Sequence, residues 1–179
     1  QAYPVECNGM GGREVRKGPD NGQIFDHHFC EYTYENGVKM FSQCRHIKGC
    51  WNEVAEYVHG TKGSADLSGK IFDAKGDKVW EYGNGGGGGH QEEHYDLFAA
   101  LRKGERPNEV DYGAKSTMTA ILGRDATYSG KVIKWDDAIN SDKALADFDG
   151  FHSMSDEAPL KPDSDGNYPV PVPGQTKTV

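Results

Sequence analysis

A chain of 179 residues with 35% hydrophobic residues, 24 glycines and a formal charge of −8 is long enough to enclose one core, and two small domains are the less economical division. The acidic balance, with no cluster of Lys and Arg, argues against nucleic acid and anionic membrane surfaces as partners, since either needs a basic stripe to displace counterions. No apolar run approaches the ~20 residues that span a bilayer, and 11% aromatic residues separate the chain from disordered sequences.

Residues 3–7 read as an extended arm, followed by a glycine-rich turn through Gly9, Gly11 and Gly12 and a loop over residues 17–22. The strongest local signal comes next. Residues 24–34 and 38–47 alternate like strands around Asn36-Gly37, the preferred two-residue hairpin turn. That turn would pair Glu35 with Val38, Phe29 with Cys44 and Cys30 with Gln43. Phe25, His27, Phe29, Met40 and Cys44 would then share one face, and Cys30, Tyr32, Tyr34, Phe41 and Ile47 the other. Cys30 and Cys44 would point to opposite sides, where no disulfide joins them. Both faces are partly apolar, so both call for a cover.

Further strands are predicted over residues 53–59, 64–67, 70–73 and 78–82, a meander and hence an antiparallel sheet. Helices follow the strands instead of alternating with them. Residues 90–103 place His94, Leu97, Phe98 and Leu101 on one stripe, with Gly104 as terminator. A second helix is predicted from Asn108, with Asp111 in the reciprocal capping position, an inner stripe of Val110, Ala114, Met118, Ile121, Leu122 and Ala126, and Gly130 at its end. Residues 131–135 read as a short extended segment, and Asp136 as the cap of a brief helix through Asn140. The fold class that follows is α+β: a largely antiparallel open sheet with helices packed on one face and an extended C-terminal tail. Residues 1–152 would form the domain and the Pro-rich residues 153–179 a tail wrapping its surface.

Cys7, Cys30, Cys44 and Cys50 include no C-x-x-C pair, so the expectation is four buried free thiols. The run Gly83 to Gly89, interrupted only by Asn84, contains a G-x-G-x-x-G match, but so dense a run satisfies that pattern by chance. A second helix follows it, where a dinucleotide fold needs a parallel strand with an acidic residue. His90 and His94 lie one helical turn apart, as metal ligands would. Gln91, however, stands where a zinc hydrolase places its catalytic glutamate, so neither a metal nor a cofactor site is assigned to this chain. Partial burial beside Leu97 and Phe98 is the plainer account of His94. His27, His28, Arg45, His46, Trp51 and Asn52 are the other polar candidates. Trp51 offers a ring on which a sugar stacks, and Arg45 and Asn52 offer donors for its hydroxyls; a packed strand end is an equally good account of the same residues. No serine or cysteine nucleophile with its base is identifiable from spacing.

Several motifs, in order, carry a likeness: Gly9-Met10-Gly11-Gly12-Arg13, Ile24-Phe25-Asp26-His27, Cys44-Arg45 with Gly49-Cys50-Trp51-Asn52, and His59-Gly60-Thr61-Lys62-Gly63. It continues through Glu93-His94 with Asp96-Leu97, Tyr112-Gly113-Ala114-Lys115-Ser116-Thr117, Thr127-Tyr128-Ser129-Gly130 and Val170-Pro171-Val172-Pro173-Gly174. In these the chain resembles the C-terminal part of the Gfo/Idh/MocA family, the glucose-fructose oxidoreductases and inositol dehydrogenases. The resemblance implies an NAD(P)-dependent oxidoreductase of sugars or polyols, with a Rossmann domain and a catalytic lysine upstream of Gln1. NAD or NADP would belong to that missing domain, and this chain would supply a substrate-side sheet whose second face makes a homo-oligomer. The resemblance also implies substrate-side positions at Arg45, Trp51, Asn52 and His94, and at His90, which stands where relatives often carry an aromatic. An NAD-using glycosidase of the same superfamily and a non-enzymatic carbohydrate-binding or scaffold module are the alternatives.

Overall fold

The computed structural model describes residues 2–83, 88–146, 149–158 and 160–179. Its strands are β1 (Pro4–Gly12), β2 (His27–Tyr34), β3 (Lys39–Arg45), β4 (Val54–Gly60), β5 (Gly63–Asp66), β6 (Lys70–Asp73), β7 (Lys78–Glu81) and β8 (Ile133–Lys134). The helices are α1 (Gly89–Arg102), α2 (Val110–Ser129) and α3 (Trp135–Ile139). All eight strands form one antiparallel sheet in the order β7-β6-β5-β4-β3-β2-β1-β8, a meander closed on its far side by β8 against β1. α2 and α3 lie on one face of the β1 end. The fold is α+β, as the succession of strands and then helices dictates.

The core sits between β1, β2 and the C-terminal half of α2, where Cys7, Cys30, Tyr32, Met40, Leu122, Ala126, Ile133 and Ala138 are buried together. Burying such side chains supplies the main stabilisation, on the order of 25 cal/mol per Å² of apolar surface. Only part of the expected α2 stripe takes part. Leu122 and Ala126 are fully buried and Met118 packs at the margin, whereas Val110 and Ala114 are exposed because the N-terminal half of the helix overhangs the sheet.

Several sequence expectations need correction. β1 runs unbroken through the three glycines, with no turn among them. Their role is clearance: a Cβ on Gly9 would lie 2.8 Å from Thr127 Cγ2, and one on Gly11 would lie 2.7 Å from the His27 carbonyl oxygen. The strand carries glycine because α2 and β2 approach it too closely for side chains.

The hairpin between β2 and β3 is shifted by one residue. Its loop has three residues, Glu35, Asn36 and Gly37, with the Tyr34 N–H donating to the Val38 carbonyl at 2.9 Å. Gly37 takes φ 80° while no described non-glycine residue, Asn36 included, has positive φ, so Asn36 does not complete the two-residue turn, which demands positive φ at both central positions. Phe29 therefore pairs with Gln43, Cys30 with Ser42 and His28 with Cys44. A one-residue slip exchanges the faces of one strand relative to the other. Met40 and Cys44 join Cys30 and Tyr32 on the helix side, and Phe41 joins His27 and Phe29 on the open side. Cys30 and Cys44 thus share a face, contrary to expectation; both are free thiols. Of the four cysteines, Cys7 and Cys30 are buried, but Cys44 is only half-buried and Cys50 is exposed.

α1 forms where its periodicity places it and ends at Gly104, φ 77°. Its stripe does not pack, however: none of its residues is buried, and Leu97, Phe98 and Leu101 remain exposed. The burial expected of His94 fails for the same reason. α2 begins at Val110, whose N–H donates to the Asn108 side chain at 3.2 Å, while Asp111 turns to Lys115 and makes no reciprocal cap. Asp136 lies inside α3, after an uncapped Lys134, and does not cap it. Residues 153–179 contain no helix or strand among those described, but the chain end is held. Gly174 N–H donates to the Ser129 carbonyl at 2.7 Å, and the buried Thr178 hydroxyl donates to that of Asp125 at 3.3 Å. Positions 84–87 of the glycine run lie outside the described residues.

Candidate functional site

The open face of the sheet, opposite α2, carries a cleft of about 490 Å³ where the ends of β1, β2 and β3 meet the segment leading into β4. Strand pairing places its walls. His27 opens β2 directly across from Arg45, which closes β3, so the two side chains emerge side by side. Phe29 and Gln43 form the next pair inward. Trp51, two-thirds exposed, hangs over the rim from the loop after β3.

The floor is built around Asp26. Its side chain is almost wholly buried, and one carboxylate oxygen accepts backbone N–H groups from Glu14 at 2.7 Å, Val15 at 2.7 Å and Arg16 at 3.1 Å. The other oxygen accepts Nδ1–H of His27 at 2.8 Å. Burial opposes the charged form, but the His27 bond and the three backbone donors outweigh it and hold the carboxyl below the ordinary carboxylate range. An ionised Asp26 can only accept, so His27 holds a proton on Nδ1; in the neutral ring that leaves Nε2 as the acceptor. Gly12 leaves room for that ring, since a Cβ there would lie 3.2 Å from Cε1 and 3.4 Å from Nε2.

A second set of polar groups is already satisfied. Gln43 Nε2 donates to Glu53, which also accepts the Tyr57 hydroxyl at 2.9 Å. The Arg45 guanidinium, in contrast, donates to no described residue. Behind the cleft, on the helix side, His28 Nδ1 lies 2.9 Å from the Thr127 hydroxyl and its ring packs with Phe25 and Tyr128. Thr127 gives its own proton to the Arg124 carbonyl, so His28 is the donor in that pair. Burial first, and then the charge that His27 carries when protonated, lower the pKa of His28 against the opposing pull of Asp26.

Of the five substrate-side positions expected from the sequence, the fold brings together Arg45 and Trp51. Asn52 does not line the cleft: its side chain donates to the Cys50 carbonyl at 3.0 Å, and it borders an adjoining hollow that Arg45, His46 and Lys48 also line. His90 and His94 stand on α1, outside the cleft, with both side chains exposed; the His94 ring donates to the His90 carbonyl at 2.6 Å. Among the described residues no three His, Cys, Asp or Glu side chains are grouped to hold a metal, and no helix is long and apolar enough to cross a membrane. What sequence reasoning missed is Asp26, the anchor of the site. Its signal was an Asp-His pair at the mouth of a strand, but nothing local indicates that residues 14–16 fold back onto it.

No protein-family model and no curated protein matches the chain. Among solved structures there is a match. It is the myo-inositol 2-dehydrogenase from Lactobacillus plantarum, similar at 18% identity and a TM-score of 0.49 over 74% of this chain and 42% of that one. The chain thus spans less than half the length of that enzyme.

Proposed function

We propose that this chain is the substrate-side and oligomerising part of an NAD(P)-dependent oxidoreductase acting on a sugar or polyol, and that it is inactive on its own. The observation that carries the reading is the cleft on the open sheet face. It combines an exposed indole, a guanidinium with no partner among the described residues and the His27 imidazole, the mixture of apolar platform and polar groups that holds a polyhydroxylated ligand. The ordered series of motifs shared with the Gfo/Idh/MocA family supports the same reading. Residues 1–152 are its body and residues 153–179 a surface tail. The cofactor belongs to a Rossmann partner domain, and the chemistry needs that domain's lysine.

The face expected to make the oligomer moves with the hairpin register. Cys30 and Tyr32 are covered by α2, so the surface available to a second copy is the aromatic row of Phe29, Phe41 and His59, with ring centroids 6.1 Å and 5.5 Å apart in succession.

The test is a titration of the ¹⁵N-labelled chain with myo-inositol, following the Trp51 indole N–H, and a parallel titration with NAD⁺ and NADP⁺. Saturable movement of the Trp51 signal without micromolar nucleotide binding is expected. Tight nucleotide binding by this chain alone, or a Trp51 signal indifferent to polyols, would overturn the proposal.

A further inference from the structure

We infer that His27 and Arg45 together read a vicinal diol, His27 Nε2 accepting one hydroxyl proton and the Arg45 guanidinium donating to the adjacent oxygen. The inference rests on the polyol reading of the cleft and specifies which atoms give it selectivity.

Three observations converge. Cross-strand pairing sets His27 and Arg45 directly opposite one another on the open face, so their functional ends are presented to the same ligand edge. Asp26 then fixes the polarity of the couple. Anchored by three backbone N–H groups, it stays an acceptor and holds a proton on His27 Nδ1, so that the neutral ring has Nε2 as its acceptor. Finally, both groups are left without a protein partner on the side facing the ligand. Gln43, Glu53 and Tyr57 bond one another, whereas neither His27 Nε2 nor the Arg45 guanidinium has a partner among the described residues.

One acceptor beside one donor matches two neighbouring hydroxyls, each of which gives and receives. A lone hydroxyl, with one proton and two lone pairs, reaches both groups only by sitting between them, whereas a diol sets one oxygen at each. An anionic sugar is disfavoured because Glu14 and Glu53 also line the cleft. Leaving either reader unpaired against a bound ligand carries a desolvation penalty, which turns the couple into a filter. The room for the imidazole above Gly12 is consistent with a side chain positioned for use: any larger residue there would press on Cε1 and Nε2.

The experiment uses the whole chain with ¹⁵N-labelled histidine, titrated with myo-inositol, cyclohexanol and glucuronate. The free protein is expected to show His27 in the Nδ1–H tautomer, with Nε2 moving on addition of myo-inositol and unmoved by cyclohexanol. His27→Phe, which keeps a ring over Gly12, and Arg45→Met should each weaken myo-inositol binding about three- to tenfold, the scale of one hydrogen bond. Circular dichroism confirms that each variant folds. If myo-inositol moves the Trp51 signal but leaves His27 Nε2 unchanged, the cleft binds polyols and this inference fails. If neither responds, the polyol reading fails with it. Glucuronate binding that depends on Arg45 but not His27 would make the cleft an anion site and overturn the diol reader.

Discussion

Gly123 of α2 rests directly on the Tyr32 hydroxyl of β2: a Cβ at Gly123 would lie 2.1 Å from Oη and 3.2 Å from Cys30 Sγ. Glycine inside a helix ordinarily costs about 1 kcal/mol relative to alanine. Here it is retained because helix and sheet meet at backbone distance. Gly123→Ala should therefore destabilise the protein by about 1–2 kcal/mol, overpacking outweighing the propensity gain. Chemical denaturation of Gly123→Ala with and without Tyr32→Phe checks the cause. The double variant should recover part of the loss, and simple additivity would show that the contact is not responsible.

Asp26 should govern acid stability together with His28. Asp26 is held below its unfolded pKa of about 4, so its contribution is present above that pH and is lost as pH falls through the lower folded value. His28 is also lowered, by burial first. Its contribution is present above an unfolded pKa of about 6.5 and begins to be lost below it. Stability measured by urea unfolding should decline in two stages, the first below about pH 6.5 and removed in His28→Gln, the second below about pH 4. Asp26→Asn should cost about 2–4 kcal/mol at neutral pH, because it replaces a charged acceptor of four N–H groups.

Thiol labelling reads the register and the core together. Cys50 is exposed and should react first, followed by the half-buried Cys44. Cys7, whose thiol is pushed up by the neighbouring Cys30 thiol and by burial, should react only on unfolding, as should the buried Cys30. Mass spectrometry of partially labelled protein gives the order; early modification of Cys30 would contradict its place under α2.

The C-terminal segment should stabilise the domain in spite of lacking helix or strand. Removing residues 174–179 takes away the donors to the Ser129 and Asp125 carbonyls at the end of α2, and a loss of roughly 1–3 kcal/mol is expected. Thr178→Val should cost about 1 kcal/mol on its own. An unchanged thermal midpoint in the truncated protein would show that the tail only rests on the surface.

A charge on the open face should prevent self-association. Phe41→Glu places a carboxylate beside Phe29 and His59 without touching the core under α2. Light scattering should find the parent chain oligomeric at high concentration and the variant monomeric, while Cys30 and Tyr32 remain covered in both.

Much of the architecture was legible because its signals are local. Alternation with turn residues located the strands of the meander, β6 at its own limits, and 3.6-residue periodicity with Gly104 and Gly130 located α1 and the end of α2. Arg45 and Trp51 were legible as site candidates, since both lie at the end of a hairpin strand and its following loop. Which face each residue occupies was not. That depended on whether Asn36 adopts positive φ, one dihedral choice that moved Phe41 to the open side and Met40 and Cys44 to the helix side. Gly9 and Gly11 looked like turn residues until the proximity of Thr127 and His27 gave them a steric reason to be in a strand. Asp26 acquired its meaning only when residues 14–16 returned to it in space. The sequence by itself determined the α+β class and the order of elements, because propensity and periodicity act over a few residues. Only the tertiary structure decided the faces, the glycine contacts and the polarity of His27, because each depends on atoms brought together from distant parts of the chain.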